Sequence, residues 1–383
     1  MKMKFTDHRF EQTGAFYKYA LYLIIPFCGF YTVKIGISPI YVTFSLSLFF
    51  IFISSIWGFR RVQEPFLIII AASIILYAVL SLVIYWSFDY ALPSAWVNLV
   101  FSLVYFVVTL FVLDNVSKDK VNLSIKLTIV FSIILLTIEL AYRLLHPEQP
   151  EDWVGIREDI EWYMYKTASF MYPDSNSVGL FISCLIGFII GIPDEKPYSF
   201  RKYLIPLFLL LLGTLSRSSI FAAILAISYQ FLNGSRFKSF LIIICSIFGI
   251  AISYSLIETD ESFLSKFWIA SLVLDYLHQA DILQLMIGVG PGNAEKYLGV
   301  GAHLLPFILL IETGLVGTVL IVLLWISIWK KLHRHGTPIF IVLLVNGLSF
   351  STFAIPWFYA MLATLIYCSR VKINARLCSN SCL

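Results

Sequence analysis

The chain is built from apolar stretches of about twenty residues that recur from one end to the other. A helical residue adds 1.5 Å of length, so a stretch of this size matches the thickness of bilayer hydrocarbon. Hydrophobic residues make up 59% of the chain and charged residues 13%, about half the charged fraction of an ordinary soluble domain. The sequence therefore predicts an all-α polytopic integral membrane protein and excludes a water-soluble globule.

We place about twelve transmembrane helices on these stretches. They form a single transmembrane domain over residues 1–383, without a repeat of fixed period or a separate soluble domain. The predicted spans are 17–33, 38–57, 66–86, 94–113, 123–145, 169–192, 203–215, 218–232, 239–257, 303–329, 338–354 and 356–369.

Lys and Arg collect in alternate connections between these spans, which predicts that those connections and both termini are cytoplasmic. The opposite connections are short except for 144–168 and 258–302, where we expect the functional residues. The net charge of +4 is too small to indicate a nucleic-acid partner. The six histidines show no metal-ligand spacing, and we expect neither a metal nor another cofactor.

Residues 203–232 form one apolar block that a polar turn, residues 216–219, interrupts. Each arm would reach only about 20 Å, so Arg217 is expected below the outer membrane surface. An arginine is tolerated there beside a wet cavity or an anion, and its planar fork suits a phosphate, with Ser216 and Ser218 adding hydroxyl groups. The alternative is an arginine that snorkels from a helical hairpin.

A second motif, residues 171–179, stands at the outer mouth of the sixth predicted span. Pro173 followed by Asp174, Ser175 and Asn176 also describes an ordinary helix N-cap. Even as a cap, the motif points backbone N–H groups at the outer side, and Asp174 and Asn176 are candidates for orienting a sugar hydroxyl.

A third motif runs from the glycine-rich residues 288–293 to His303, which opens a predicted span that contains Glu312. No strand precedes the glycines and Pro291 interrupts them, so a dinucleotide loop is rejected. His303 is a candidate general base, or else a histidine of the membrane interface. Glu312 is about 13 Å deeper and is not expected to act on the same atom.

Three further cations on the outer side are candidates for a second phosphate contact: Arg157, Lys266 and Lys296. Glu139 and Arg143 are spaced i,i+4 near the outer end of the fifth span, and we expect them to neutralise one another.

Taken in order, the segments 173–176, 212–218, 287–290 and 312–317, with His303 between the last two, resemble the O-antigen polymerase and ligase superfamily of bacterial surface-polysaccharide assembly. The resemblance covers residues 165–320 by motif, and it is slightly closer to Wzy polymerases than to WaaL ligases. One departure is that the family commonly has another arginine in the large outer loop, whereas residues 258–302 contain none.

The resemblance implies a metal-independent, inverting glycosyltransferase of the GT-C kind, at the periplasmic face of a bacterial inner membrane. Its donor and acceptor would be glycans on undecaprenyl diphosphate, and its partners a Wzz-type chain-length regulator, a flippase and inner-membrane lipids. It implies Arg217 at the diphosphate and His303 as base. The alternatives are a ligase that transfers polymer to lipid A core, or a transporter or flippase, which usually shows two related halves.

Overall fold

The computed structural model describes residues 16–57, 62–85, 93–147, 164–167, 169–193, 199–231, 261–301, 303–350 and 352–380. These residues form helices and connecting turns and contain no strand. Short 3-10 helices, Arg201–Tyr203 and His333–His335, precede α8 and α14. The α-helices are α1 (16–24), α2 (Pro39–Trp57), α3 (Pro65–Tyr85), α4 (Pro93–Asp114), α5 (Lys118–Leu145), α6 (Met164–Thr167), α7 (Ser175–Gly191), α8 (Leu204–Leu212), α9 (Arg217–Phe231), α10 (Glu261–Gln279), α11 (Ile282–Ile287), α12 (Ala294–Leu298), α13 (Leu305–Leu332), α14 (Thr337–Asn346) and α15 (Pro356–Asn380).

Among the described residues, five helices are long and apolar enough to cross a bilayer: Pro39–Ile56, Pro65–Ile84, Ser94–Asp114, Lys118–Leu145 and Leu305–His335. Large apolar side chains on the outside of these helices stay exposed, as expected where lipid is the solvent; examples are Phe52, Ile69, Val83, Ile134 and Val319. The described helices confirm the prediction of an all-α polytopic membrane protein.

The five long helices match the predicted spans 38–57, 66–86, 94–113, 123–145 and 303–329. Two other predicted spans are shorter in the structure: helix covers only residues 17–24 of the first, and the helix in the span predicted at 338–354 ends at Asn346. The predicted span 239–257 lies outside the described residues. The connection predicted at 258–302 is largely helical, because it contains α10, α11 and α12.

Ion pairs join four helices at one end of the bundle. Glu64, just before α3, contacts Lys331 Nζ at 2.5 Å and Arg370 Nη1 at 3.8 Å. Arg370 also pairs with Asp114 at the end of α4. The sequence places all four segments on a single side of the membrane, and we call this side of the bundle the basic end.

Helix α7 is buried along almost its whole length and packs against α8, α9, α14 and α15. Its last residue, Gly191, reaches the basic end, where its carbonyl oxygen lies 3.0 Å from His335 Nδ1. Helix α14 starts beside this contact and has ten residues, so it rises only about 15 Å. Its last residue, Asn346, is therefore about 15 Å from the basic end, and this distance is half of the roughly 30 Å of a bilayer hydrocarbon core.

Candidate functional site

The α8–α9 turn, residues 213–216, lets α9 begin at Arg217. Leu215 has a φ of 57°, a left-handed conformation that is uncommon outside glycine. Thr214 stabilises the turn, because its Oγ1 donates to the Leu211 carbonyl at 2.7 Å and accepts from the Ser216 N–H at 3.3 Å. Helices α8 and α9 have nine and 15 residues, about 14 and 22 Å, so both short arms expected from the sequence are present.

Arg217 is the first residue of α9, and its side chain is exposed. A guanidinium group at this position adds to the partial positive charge of the helix N-terminus, and both favour an anion. Ser218, the next residue, is half-buried. Of the donors that the sequence predicts for a phosphate, the guanidinium of Arg217 is therefore exposed and Ser218 is half-buried.

The prediction that Ser216 offers its hydroxyl to a phosphate does not fit its position in the structure. Its side chain is fully buried, and its hydroxyl donates to Ser219 Oγ at 3.1 Å. Ser219 donates in turn to Asn346 Oδ1 at 2.7 Å, and Asn346 Nδ2 lies 3.4 Å from Ser183 Oγ in α7. In this conformation Ser216 supports the turn by joining α9 to α14 and α7, rather than presenting its hydroxyl to a ligand.

Gly179 brings the two motifs of residues 171–179 and 212–219 into contact. A Cβ atom on Gly179 would lie 2.8 Å from Ser219 Oγ and 2.9 Å from Ser216 Cβ. Both distances are shorter than van der Waals contact, so only a glycine in α7 lets the α8–α9 turn approach this closely. The first half of α7 thus holds the turn that carries Arg217.

Asp174 is the N-cap of α7. Its Oδ1 accepts from the Ser177 N–H at 2.9 Å and from Ser177 Oγ at 2.7 Å, and its Oδ2 accepts from Asn176 Nδ2 at 3.1 Å. This geometry is the capping role that the sequence offered as an alternative. Asp174 and Asn176 are both half-buried, so the pair borders the site while holding the first turn of α7.

The buried pair Glu139 and Arg143 joins α5 to both motifs. Arg143 Nε lies 3.3 Å from Glu139 Oε1, and the side chains are 2% and 0% exposed. Arg143 Nη1 donates to the Tyr165 carbonyl at 3.1 Å, and Nη2 donates to the Gly213 carbonyl at 3.0 Å. Glu139 Oε2 accepts the N–H groups of residues 170 and 171 at 3.2 and 3.3 Å. The two residues do neutralise one another, and they also clamp three segments together.

Lys166, in the short helix α6, is a site residue that the sequence analysis missed. Its side chain is only 8% exposed. Burial lowers the pKa of Lys166 from its ordinary value, the positive charge of Arg217 lowers it further, and the carboxylate of Asp174 raises it. Lys166 therefore lies within electrostatic reach of both motif residues. In the sequence, Lys166 lies in the predicted outer connection 144–168, which is where functional residues are expected. Its neighbours in the sequence do not distinguish it from an ordinary lysine at a membrane interface.

His303 is exposed and lies two residues before Leu305, the first residue of α13. The Leu305 N–H donates to the Gly347 carbonyl at 2.7 Å, and Gly347 follows Asn346 of the buried network. The Cα of His303 is at most about 7.6 Å from that of Leu305, since consecutive Cα atoms are 3.8 Å apart. His303 and the α8–α9 turn thus flank the same end of α14.

The glycine-rich loop at residues 288–293 packs against a break in α13. Gly314 has a φ of 58° and interrupts the helix, and the N–H groups of Val289 and Gly290 donate to the carbonyls of Ile311 and Glu312, both at 2.9 Å. The Glu312 carboxylate accepts from the Ala294 N–H at 3.5 Å. The loop and Glu312 therefore hold each other in place.

The other predicted cations lie on α12, on α10 and outside the described residues. Lys296 is exposed on α12. Lys266 of α10 donates to Ser349 Oγ at 3.0 Å, which brings it to the segment that follows Asn346. Arg157 lies outside the described residues.

The site combines the exposed guanidinium of Arg217, the buried ammonium group of Lys166 and the half-buried carboxylate of Asp174, and the imidazole of His303 lies at the neighbouring helix start. The cations suit an anionic group, and a neutral imidazole can accept a proton. No protein-family model matches the chain, and no curated protein matches it.

Proposed function

We propose that the chain is a membrane glycosyltransferase that polymerises oligosaccharide repeat units, of O antigen or capsule, carried on undecaprenyl diphosphate. The observation that carries this proposal is the contact of the Asp174 and Arg217 motifs through Gly179. This contact lies beside the end of α14, where Gly347 accepts a hydrogen bond from Leu305 at the start of α13. Three motifs that are far apart in the sequence thereby contribute to a single region, as an enzyme site requires.

The depth of Arg217 supports a lipid-linked donor. Ser219, in the first turn of α9, is hydrogen-bonded to Asn346, about 15 Å from the basic end of α14. The diphosphate of a long isoprenyl carrier lies at the membrane surface with its chain in the bilayer, so a recessed guanidinium meets it without full extraction of the lipid. Arginine suits this role because its planar fork makes bidentate hydrogen bonds to phosphate oxygens.

The proposed reaction is a single displacement with inversion. The acceptor sugar hydroxyl attacks the anomeric carbon of the donor glycan, His303 accepts the hydroxyl proton, and the bond from that carbon to the diphosphate oxygen breaks. The departing diphosphate gains negative charge, and Arg217 stabilises this charge more in the transition state than in the ground state. The step needs neither a metal nor a covalent intermediate.

The proposal includes the finer features that the resemblance implies. These are a GT-C-type bundle of about twelve spans in a bacterial inner membrane, with cytoplasmic termini and a periplasmic site. The basic end would then face the cytoplasm, since the predicted cytoplasmic connections meet there. A Wzz-type regulator and a flippase are the proposed protein partners.

A gel profile of surface polysaccharide from a deletion strain, with and without the restored gene, tests the proposal. We expect a single-repeat pattern in the deletion strain and a ladder of longer chains after restoration. Long polymer that stays on the lipid carrier without reaching lipid A core would identify a ligase instead. Repeat units that stay on the cytoplasmic side would identify a flippase.

A further inference from the structure

We propose that Asn346 is a positioning residue for the glycosyl transfer, which fixes the helix start that carries Arg217 relative to the segment that carries His303. It acts through the two segments that it joins and not on the reacting atoms. This inference deepens the proposed function and rests on it for the identity of the reaction.

The side-chain amide of Asn346 is oriented by its own helix. Its Nδ2 donates to the carbonyl of Val342, one turn earlier in α14, at 3.0 Å. A carbonyl oxygen only accepts hydrogen bonds, so the amide nitrogen faces Val342 and the amide oxygen is left for α9. There Oδ1 accepts from the Ser219 hydroxyl at 2.7 Å. Both side chains are buried, so the bond is shielded from water.

The residue after Asn346 anchors the second segment. The carbonyl of Gly347 accepts the Leu305 N–H at 2.7 Å, and a Cβ atom on Gly347 would lie 3.0 Å from Leu305 Cβ. This distance is tighter than ordinary van der Waals contact, so α13 starts directly against the end of α14. The Cα atoms of Asn346 and Gly347 are about 3.8 Å apart. The first turn of α9 and the start of α13 are therefore attached to neighbouring residues.

Each attachment point lies two residues from a side chain of the proposed reaction. Ser219 follows Arg217 by two positions, and Leu305 follows His303 by two positions. A shift at either attachment point therefore moves one of the two reacting side chains relative to the other. A displacement of about 1 Å can cost about 10²-fold in rate, so the fixed relation of the two segments contributes directly to turnover.

The polar character of the network indicates a role beyond filling space. Ser216 donates to Ser219, and Ser219 donates to Asn346, so hydroxyl and amide groups form a continuous chain inside an apolar bundle. Hydrogen bonds between membrane helices stabilise a bundle only weakly on average. Their directions, however, specify a single arrangement of the helices that they join.

The first measurement is the distance between the two segments in the full chain in detergent. Spin labels at Phe221→Cys on α9 and Pro306→Cys on α13, two exposed positions, report this distance by double electron–electron resonance in a background without the native cysteines. We expect a narrow distance distribution in the parent protein and a broader or shifted one in Asn346→Leu and in Ser219→Ala. Ser219→Ala removes a single hydroxyl group and leaves Asn346 bonded to its own helix.

The matched controls are Asn115→Leu and Ser47→Ala. The buried Asn115 amide also donates to a carbonyl one turn earlier, that of Phe111 at 2.7 Å, but it lies just after α4 at the basic end. Ser47 is fully buried, and its hydroxyl donates to the Phe44 carbonyl of its own helix at 2.6 Å. Both control variants lose a buried polar group of the same kind and should keep the parent distance distribution.

The second measurement is turnover of a lipid-linked donor by the purified protein. We expect Asn346→Leu and Ser219→Ala to lower kcat at least about tenfold, with KM within about twofold of the parent value, because alignment in the transition state is lost. The two control variants should keep the parent kcat.

An unchanged distance distribution in Ser219→Ala, or equal broadening in the controls, would overturn the link that Asn346 makes. A broadened distribution with the parent kcat would overturn its role in the reaction. If the distribution broadens as expected but the restored gene yields no ladder, the link between the segments stands and the polymerase proposal fails.

Discussion

Arg143 Nη2 donates a hydrogen bond of 3.0 Å to the carbonyl oxygen of Gly213, so a long span holds the turn between two short helices. The bond connects positions 70 residues apart in the chain. The bond fixes the conformation of the turn from a helix outside its own hairpin.

Replacing Arg143 by Met should destabilise the protein strongly. Glu139, which is 0% exposed, would lose its ion-pair partner, and the carbonyls of Tyr165 and Gly213 would lose their donors. Breaking a buried pair on one side costs about 3–5 kcal/mol. The thermal midpoint of the purified protein in detergent measures the loss. Lys126→Met, an exposed position on the same helix, is the control, and equal midpoints for both variants would contradict the clamp.

Gly179→Ala should impair function by pushing the α8–α9 turn away from α7. The new methyl group would meet Ser219 Oγ at 2.8 Å and Ser216 Cβ at 2.9 Å, and overpacking of this kind costs about 1–3 kcal/mol. We expect shortened or absent ladders in the restored deletion strain. Gly36→Ala meets nothing within 4 Å and should behave like the parent protein. A full ladder from Gly179→Ala would show that the turn tolerates displacement.

Arg217→Lys should lower polymerisation at least tenfold although the charge is retained, because lysine cannot make the bidentate contact to a phosphate. The yield of long chains in the restored deletion strain, at matched protein levels, is the readout. Arg201→Lys, at the other end of the same hairpin, is the matched control and should support a normal ladder. Parent-like polymerisation by Arg217→Lys would argue against the diphosphate role.

His303→Ala should nearly abolish product while leaving the thermal midpoint unchanged, since the side chain is exposed and precedes α13. A lost general base typically costs about 10²–10⁴-fold in rate. Turnover of a lipid-linked donor by purified protein measures the change. The control is His278→Ala, another exposed histidine, on α10, for which we expect normal turnover. An active His303→Ala enzyme would assign the base to another group.

Tyr77→Phe should destabilise the break in α13. The Tyr77 hydroxyl lies 2.5 Å from the Ile287 carbonyl and 2.6 Å from the Thr313 carbonyl, so it joins α3 to α11 and to α13 beside Gly314. Leaving such buried carbonyls without a donor costs about 1–3 kcal/mol. The midpoint in detergent should fall, whereas Tyr19→Phe, with a half-exposed ring, should leave it unchanged. Equal midpoints would mean that the glycine-rich loop holds the break without Tyr77.

Patterns local to the chain were sufficient to predict several elements of the fold. The apolar stretches at 38–57, 66–86, 94–113, 123–145 and 303–329 are long helices because an apolar run of spanning length has no other way to satisfy its backbone in lipid. The interrupted block around Arg217 predicts two short arms, and Asp174 predicts a helix N-cap, since helix length and capping depend on neighbouring residues.

The grouping of residues into a site depends on tertiary packing. Asn346 is hydrogen-bonded to Ser219, which is 127 residues away in the chain, and no sequence pattern in either segment predicts this bond. Lys166 becomes part of the site because Arg143 holds its segment beside the Arg217 turn, whereas the hydroxyl of Ser216, predicted to bind a ligand, is directed into the buried network. Helix periodicity and capping are set by residues a few positions apart, but hydrogen bonds between distant helices form only once the bundle has packed.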